Sequence, residues 1–116
     1  GMTPFKYAKG SLYEGGFRVP ALIRWPGHVP PRRVENGIFS GLDWFPTFVA
    51  AAGDPNIVEE LKQGKQIGDG LFKVHLDGYN QLGLLSGRAP SQRHEIFLDV
   101  CGYRPRRHRV NSYDER

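Results

Sequence analysis

"KGSLYEGGFRVPALIRWPG", residues 9–27, carries the most specific pattern in the chain. It sets Lys9 on a turn of small residues. A Glu14-Gly15-Gly16 bend with Arg18 follows, then an apolar run that stops at Trp25-Pro26-Gly27. Two glycines behind an acid predict at least one positive φ at Gly15 or Gly16, where side chains would crowd. Glu14 and Arg18, four apart across the bend, are expected to pair with each other or with backbone. Residues 19–25 alternate: Val19, Ala21, Ile23 and Trp25 against Pro20, Leu22 and Arg24. That alternation predicts a strand. Leu22 makes its second face apolar near the middle, which predicts cover on both sides.

Beyond Pro26-Gly27, "HVPPRR" reads as an exposed connection and residues 37–40 as a short strand or an extended entry. Asp43 is placed as the N-cap of a helix over 43–52. Trp44, Phe45, Phe48, Val49 and Ala52 form its core face, Pro46 is tolerated in the first turn, and Gly53 closes it. Asp54 as N-cap and Pro55 at the first helical position start a second helix, with Ile57, Val58 and Leu61 on one side and Gly64 after it. Residues 64–70 read as a polar loop. Phe72, Val74 and Leu76 form an alternating strand. Asp77-Gly78 turns into a short helix over 79–85, weakened by Gly83 and stopped by Gly87. Residues 95–100 give a third strand, with Ile96 and Leu98 on one face. No internal repeat is visible.

The chain has 116 residues, enough for one modest core or a piece of a larger domain. Fifteen glycines and nine prolines predict a turn-rich fold of short elements rather than a helical bundle. The net charge is +4, and +3 of it comes from the last sixteen residues. The nearly neutral body excludes a basic footprint for nucleic acid. Nucleic acid therefore ranks last among partners, resting only on Arg104, Arg106, Arg107 and Arg109. The single cysteine, Cys101, cannot form an internal disulfide and leaves the redox compartment open. No apolar run approaches bilayer-spanning length, so no membrane partner is expected, and no signal peptide opens the chain.

Few residues suggest chemistry on their own. A lysine ammonium is a compact charge suited to an oxyanion, although a lysine before Gly-Ser is by itself usually a surface charge. Trp25 and Trp44 read as core aromatics. His28, His75, His94 and His108 lack close metal-ligand spacing. His75 and Asp77 would share one face of a strand, and a structural pairing is preferred over a metal site. No nucleophile stands with a base beside it.

The opening stretch, followed by "SGLDWFPTFVAAAGDP" and "GDGLFKVHLDGYNQLGLLSGRAPSQRHEIF", resembles the sulfatase family, specifically bacterial arylsulfatases. The resemblance runs from Thr3 to about Leu98. It implies an α+β chain: a segment of the alkaline-phosphatase-like sulfatase fold, the end of its large α/β domain plus a small antiparallel C-terminal subdomain. Residues 1–53 would hold the lysine turn, strand and helix. Residues 54–100 would hold a helix and the small subdomain, and residues 101–116 a basic, disordered tail. The family is often periplasmic or secreted in bacteria; this chain's own location stays open.

By the same resemblance Lys9 is the sulfate-binding lysine of a Lys-Gly-x-x-x-Glu-Gly-Gly-x-Arg block. A fixed ammonium there would favour the charge that develops as sulfuryl transfer proceeds. The family's formylglycine, made in a Cys/Ser-x-Pro-x-Arg block, finds no match. Around Cys101, Tyr103 stands at the proline position and Pro105 at the arginine position. The calcium ligands and catalytic histidines belong to upstream blocks of the family. No catalytic residue, metal or cofactor is therefore expected in this chain. It is expected to be inactive alone while retaining weak contact with sulfate or a sulfate ester. The residues before Lys9, "KYA", depart from the family's polar-acidic pair, and nothing of the family pattern is recognisable after Leu98. The alternative expectation is a non-enzymatic module that keeps the fold and self-associates through the exposed strand over 19–25, as a homo-oligomer.

Overall fold

The computed structural model describes residues 4–98. These residues fall into two compact units: residues 4–19 with 97–98, and Pro20–Ile96. The described elements are helices and a two-stranded antiparallel sheet, an α+β composition. Cys101 and the arginines at 104, 106, 107 and 109 lie outside the described residues.

The first unit is a loop folded over a single helical turn, α1, Glu14–Phe17. Gly15 and Gly16 sit inside that turn, and neither has the expected positive φ. What requires glycine there is space. A Cβ on Gly15 would lie 1.9 Å from the carbonyl oxygen of Tyr7, and one on Gly16 would lie 2.2 Å from that of Ser11. The left-handed backbone falls instead on Gly10, at φ 93°, next to Lys9, and on Tyr7, at φ 64°.

In the second unit, a 3-10 turn, Gly41–Asp43, leads into α2, Trp44–Ala51. The cap is Ser40 rather than Asp43: its hydroxyl accepts from the backbone N–H of Leu42, while the Asp43 carboxylate accepts from the N–H of Ser40. Helix α3, Ile57–Gln63, begins after a turn in which Asp54 accepts from the N–H of Asn56. Gly64, at φ 114°, ends it. Helix α4, Leu82–Ser86, ends on Gly87 in the left-handed region at φ 75°.

The expected polar loop over 64–70 is instead a hairpin. Strands β1, Lys65–Ile67, and β2, Gly70–Phe72, pair antiparallel with Ile67 opposite Gly70. The two-residue link, with Gly68 at φ 57°, matches the twist of such hairpins. Val74 and Leu76 are not in a strand, although the N–H of Val74 donates to the carbonyl of Leu61 at 2.9 Å. Residues 19–25 form no ladder among the described residues; Val19 is 80% and Leu22 100% exposed. Residues 95–98 are likewise not a strand, and 99–100 lie outside the described residues.

The buried hydrophobic side chains are Ala50, Ile57, Leu61 and Leu84, joining α2, α3 and α4. Beside them lies a polar core. Asp43, Thr47 and Gln81 are buried, and Arg93 reaches Asp43 through Nη2 at 2.7 Å and Nε at 3.0 Å. The same carboxylate accepts the N–H of Tyr79 at 2.9 Å. Arg93 also donates to the carbonyl of Asp77, and its guanidinium lies over the Tyr79 ring. Gln81 donates its N–H to Thr47 and its side-chain amide to Ser91. Among the described residues no buried side-chain polar atom lacks a partner. This network ties residues 40–47, 77–81 and 91–93 together.

Helix α2 is oriented against expectation. Pro46, Thr47 and Ala50 face inward, while Phe45 and Phe48, expected in the core, are exposed, as is Ala52. Trp44 and Val49 are half-buried. The polar network decides this: seating Asp43 and Thr47 against residues 77–81 rotates their neighbours outward.

Candidate functional site

Lys9 stands in the first unit on the turn that its glycines shape. The Ser11 hydroxyl donates to the carbonyl of Ala8 at 2.9 Å, closing the turn across Lys9 and Gly10. The strand of chain just before it, residues 5–7, lies on α1. The N–H of Gly15 donates to the carbonyl of Lys6 at 3.1 Å, and the missing Cβ of Gly15 leaves room for that approach. Glu14 and Arg18 pair as expected, at 2.8 Å, and the Arg18 guanidinium covers the Phe5 ring. The bend is thus held at both ends, by backbone contact and by an ion pair.

Three cations, Lys6, Lys9 and Arg18, stand on or near this turn in sequence, and two of them are engaged. Lys6 lies over two tyrosines, 5.2 Å from the Tyr7 ring and 4.8 Å from the Tyr13 ring, and those rings contact each other at 4.6 Å. Such cation–π contact holds an ammonium in place. Arg18 is taken by Glu14 and Phe5. Lys9 is exposed, and among the described residues its ammonium forms neither an ion pair nor a hydrogen bond. An exposed ammonium on a constrained turn can meet a tetrahedral oxyanion without first breaking a bond within the chain.

The remaining sequence candidates separate clearly. His75 and Asp77 do meet, Nε2 to Oδ1 at 3.2 Å, but both are solvent-exposed, and the pair lies on irregular backbone rather than a strand. His28 stacks on Trp25, ring centroids 4.2 Å apart. Among the described residues no three His, Cys, Asp or Glu side chains stand close enough together to hold a metal ion. Trp25 and Trp44 are half-buried rather than core.

The pairing of Asp43 with Arg93 is what local reasoning missed, since Asp43 reads in the sequence only as a helix cap. Burial alone pushes the Asp43 carboxyl up. Arg93 and the N–H groups of Ser40 and Tyr79 outweigh that and hold it below its ordinary value. Asp43 in turn raises Arg93 further. Every oxygen of this carboxylate is directed at a protein donor, so the pair organises the fold and offers no face to a ligand. A separation of fifty residues leaves no local signal for it.

The sulfatase family model matches residues 1–54, which include Lys9 and its bend. Human Arylsulfatase A is 40% identical over 90 residues, covering 78% of this chain and 15% of that protein. Mouse Steryl-sulfatase is 37% identical over 97 residues, covering 84% of this chain and 13% of that protein. Mouse Arylsulfatase G is 39% identical over 75 residues, covering 65% of this chain and 13% of that protein. The chain therefore spans about one seventh of the length of these curated relatives. The three are mammalian, and the narrower bacterial reading finds no support in them. No solved structure matches the chain.

Proposed function

We propose a function from one premise: the chain belongs to the sulfatase family. It contributes a sulfate-contacting lysine, Lys9, to sulfuric ester hydrolysis and does not carry the nucleophile. Sulfatase names among the relatives supply the reaction class. The observation that carries the role of Lys9 is its state on the turn: exposed, set beside Gly10 at φ 93°, and unpaired among the described residues, while Lys6 three positions earlier is held by tyrosines.

The chemistry is electrostatic. A sulfate monoester carries charge on its terminal oxygens, and cleavage moves charge onto the leaving oxygen. An ammonium fixed near both lowers the energy of that arrangement relative to the bound ester. The described residues offer Lys9 for this contact and no activated attacking group. Calcium and formylglycine, which the family resemblance implies, would have to be held by sequence other than these residues.

Two outcomes test the reading. The pure chain is expected to show no turnover of an aryl sulfate, and calcium-dependent hydrolysis by it would overturn the assignment. It is expected to bind sulfate weakly and saturably by calorimetric titration. Lys9→Ala should weaken that binding about tenfold, the low end for a charge-assisted contact at an exposed site. Lys6→Ala should change it little. Equal loss in both variants would mean a diffuse charge effect.

A second reading has one observation in its favour. Residues 19–25 are apolar, lack a ladder partner among the described residues, and expose Leu22 fully. The chain would then act as a scaffold that self-associates along this segment. Light scattering showing a monomer at high concentration removes that reading.

A further inference from the structure

The loop that leads to Ser40 contains the chain's one asparagine-glycine step, Asn36-Gly37. Glycine at the second position carries no Cβ to shield its nitrogen, so that nitrogen has free approach to the side-chain carbonyl carbon of Asn36. Both residues are exposed. Their N–H groups are nevertheless taken. Glu35 Oε1 accepts from the N–H of Asn36 at 3.0 Å and from that of Gly37 at 2.9 Å. Its other oxygen accepts from Nη2 of Arg33. Arg33 lies against the end of α4, where a Cβ on Gly87 would stand 2.2 Å from its Nη1. Arg33, and after it the Gly37 N–H, hold the Glu35 carboxyl below its ordinary range, so it is an anion at neutral pH. Gly37 is also closely packed. A Cβ there would lie 3.0 Å from Cδ1 of the buried Leu84 and 3.2 Å from Cβ of Ser91. Ser91 donates to the carbonyl of Ile38 at 2.5 Å and accepts from the side-chain amide of the buried Gln81 at 2.9 Å.

We propose that Asn36-Gly37 is a self-modification site, a step that forms a succinimide spontaneously, restrained by the Glu35 carboxylate that holds the Gly37 N–H. In the reaction the Gly37 nitrogen loses its proton to hydroxide from solvent and bonds to Cγ of Asn36. The bond from Cγ to the side-chain nitrogen breaks, and that nitrogen leaves as ammonia with a proton from water. Water then opens the imide at either carbonyl. One opening leaves aspartate. The other leaves isoaspartate, which carries the former side-chain methylene in the main chain. Nothing is oxidised or reduced, and water is the only co-reactant. A carboxylate on the N–H opposes the first step, because it sets an anion beside a nitrogen that must itself become negative. It also fixes the peptide plane that must turn toward Cγ. The isoaspartyl product pushes Gly37 against Leu84 and Ser91, so the added length loosens the packing of the second unit. The aspartyl product adds only charge. This inference is independent of the role of Lys9.

The test ages the chain at mildly alkaline pH and follows it by peptide mass mapping, which reads conversion of the Asn36 amide to an acid. Glu35→Ala is expected to convert about tenfold faster than wild type, the factor for one charge-assisted hydrogen bond. Glu35→Gln keeps an acceptor oxygen without the charge and should fall between them. Asn56 and Asn80, followed by Ile57 and Gln81, are internal controls whose conversion should not rise in either variant. Hydrogen exchange should show the Gly37 N–H protected in wild type and released in Glu35→Ala. Glu35 is exposed, so both variants should fold, which circular dichroism checks. The separated isoaspartyl chain should unfold at lower urea than Asn36→Asp, whose main chain has normal length; equal midpoints would remove the structural consequence. Equal conversion of Asn36 in wild type and both Glu35 variants overturns the proposal. Faster conversion in wild type does so too, because the carboxylate would then act as a base. A joint rise at Asn36, Asn56 and Asn80 also overturns it, since general unfolding and not the lost carboxylate would be the cause.

Discussion

Arg93→Ala is expected to destabilise residues 20–96 by about 3–5 kcal/mol, the usual cost of removing one partner from a buried ion pair. That is a large share of the roughly 5–15 kcal/mol that holds an ordinary domain. The cost arises because Asp43 has no exposed surface, and without Arg93 its charge is met only by the N–H groups of Ser40 and Tyr79 and the distant amide of Gln81. Replacing both partners with leucine should cost less than removing Arg93 alone, since no buried charge is then left uncompensated.

The pH dependence follows from the depressed Asp43 carboxyl. A carboxyl whose folded pKa lies below its unfolded value adds stability above the unfolded value and loses it as pH falls through the folded one. Wild type should therefore weaken in acid, below the ordinary carboxylate range. In Arg93→Ala the Asp43 carboxyl loses its main support and protonates more readily. The difference in urea midpoint between the two should be widest near neutrality and should shrink toward acid. A difference that stays constant with pH would show that Arg93 acts through packing alone.

Gly15→Ala is the second large effect, and it falls on the lysine turn. The added Cβ would lie 1.9 Å from the carbonyl oxygen of Tyr7, 2.6 Å from that of Lys6 and 2.9 Å from that of Phe5. Three backbone atoms cannot all withdraw by a side-chain adjustment, so residues 5–7 must leave α1. The hydrogen bond from Gly15 to Lys6 goes with them. Sulfate affinity should fall about as far as in Lys9→Ala, roughly tenfold, although Lys9 itself is intact. Gly10→Ala provides the contrast. Open space surrounds that position, and only its φ of 93° opposes a side chain, at a cost of about 1–2 kcal/mol. Its effect on affinity should be smaller. Sulfate binding by Gly15→Ala at wild-type strength would show that the bend does not position the ammonium.

Local patterns in the sequence foretold the three main helices well. Gly53, Gly64 and Gly87 end their segments with positive φ as their placement predicts, and the Glu14–Arg18 pair forms. What failed were inferences that needed a neighbour. Residues 19–25 have the alternation of a strand, but alternation describes a chain already lying in a sheet, and none of the described residues pairs with it. The hairpin at 65–72 was hidden because strands of three residues are too short to show a period. The side of α2 that packs was set by Asp43, Thr47 and Arg93, whose partners lie more than thirty residues away. The glycine pair was located correctly, but its reason was misassigned. Close approach of backbone requires glycine there, and the positive φ belongs to Gly10. The role proposed for Lys9 rests on the whole block around it, since a lone lysine before Gly-Ser carries no signal.

The most direct measurement is nuclear magnetic resonance of the lysine ammonium groups while sulfate is added at constant ionic strength. Lys9 should shift and saturate, with Lys6 nearly still beneath its tyrosines and the signal change absent in Lys9→Ala. If Lys9 does not move, or all the lysines drift together without saturation, the anion has no seat on this turn.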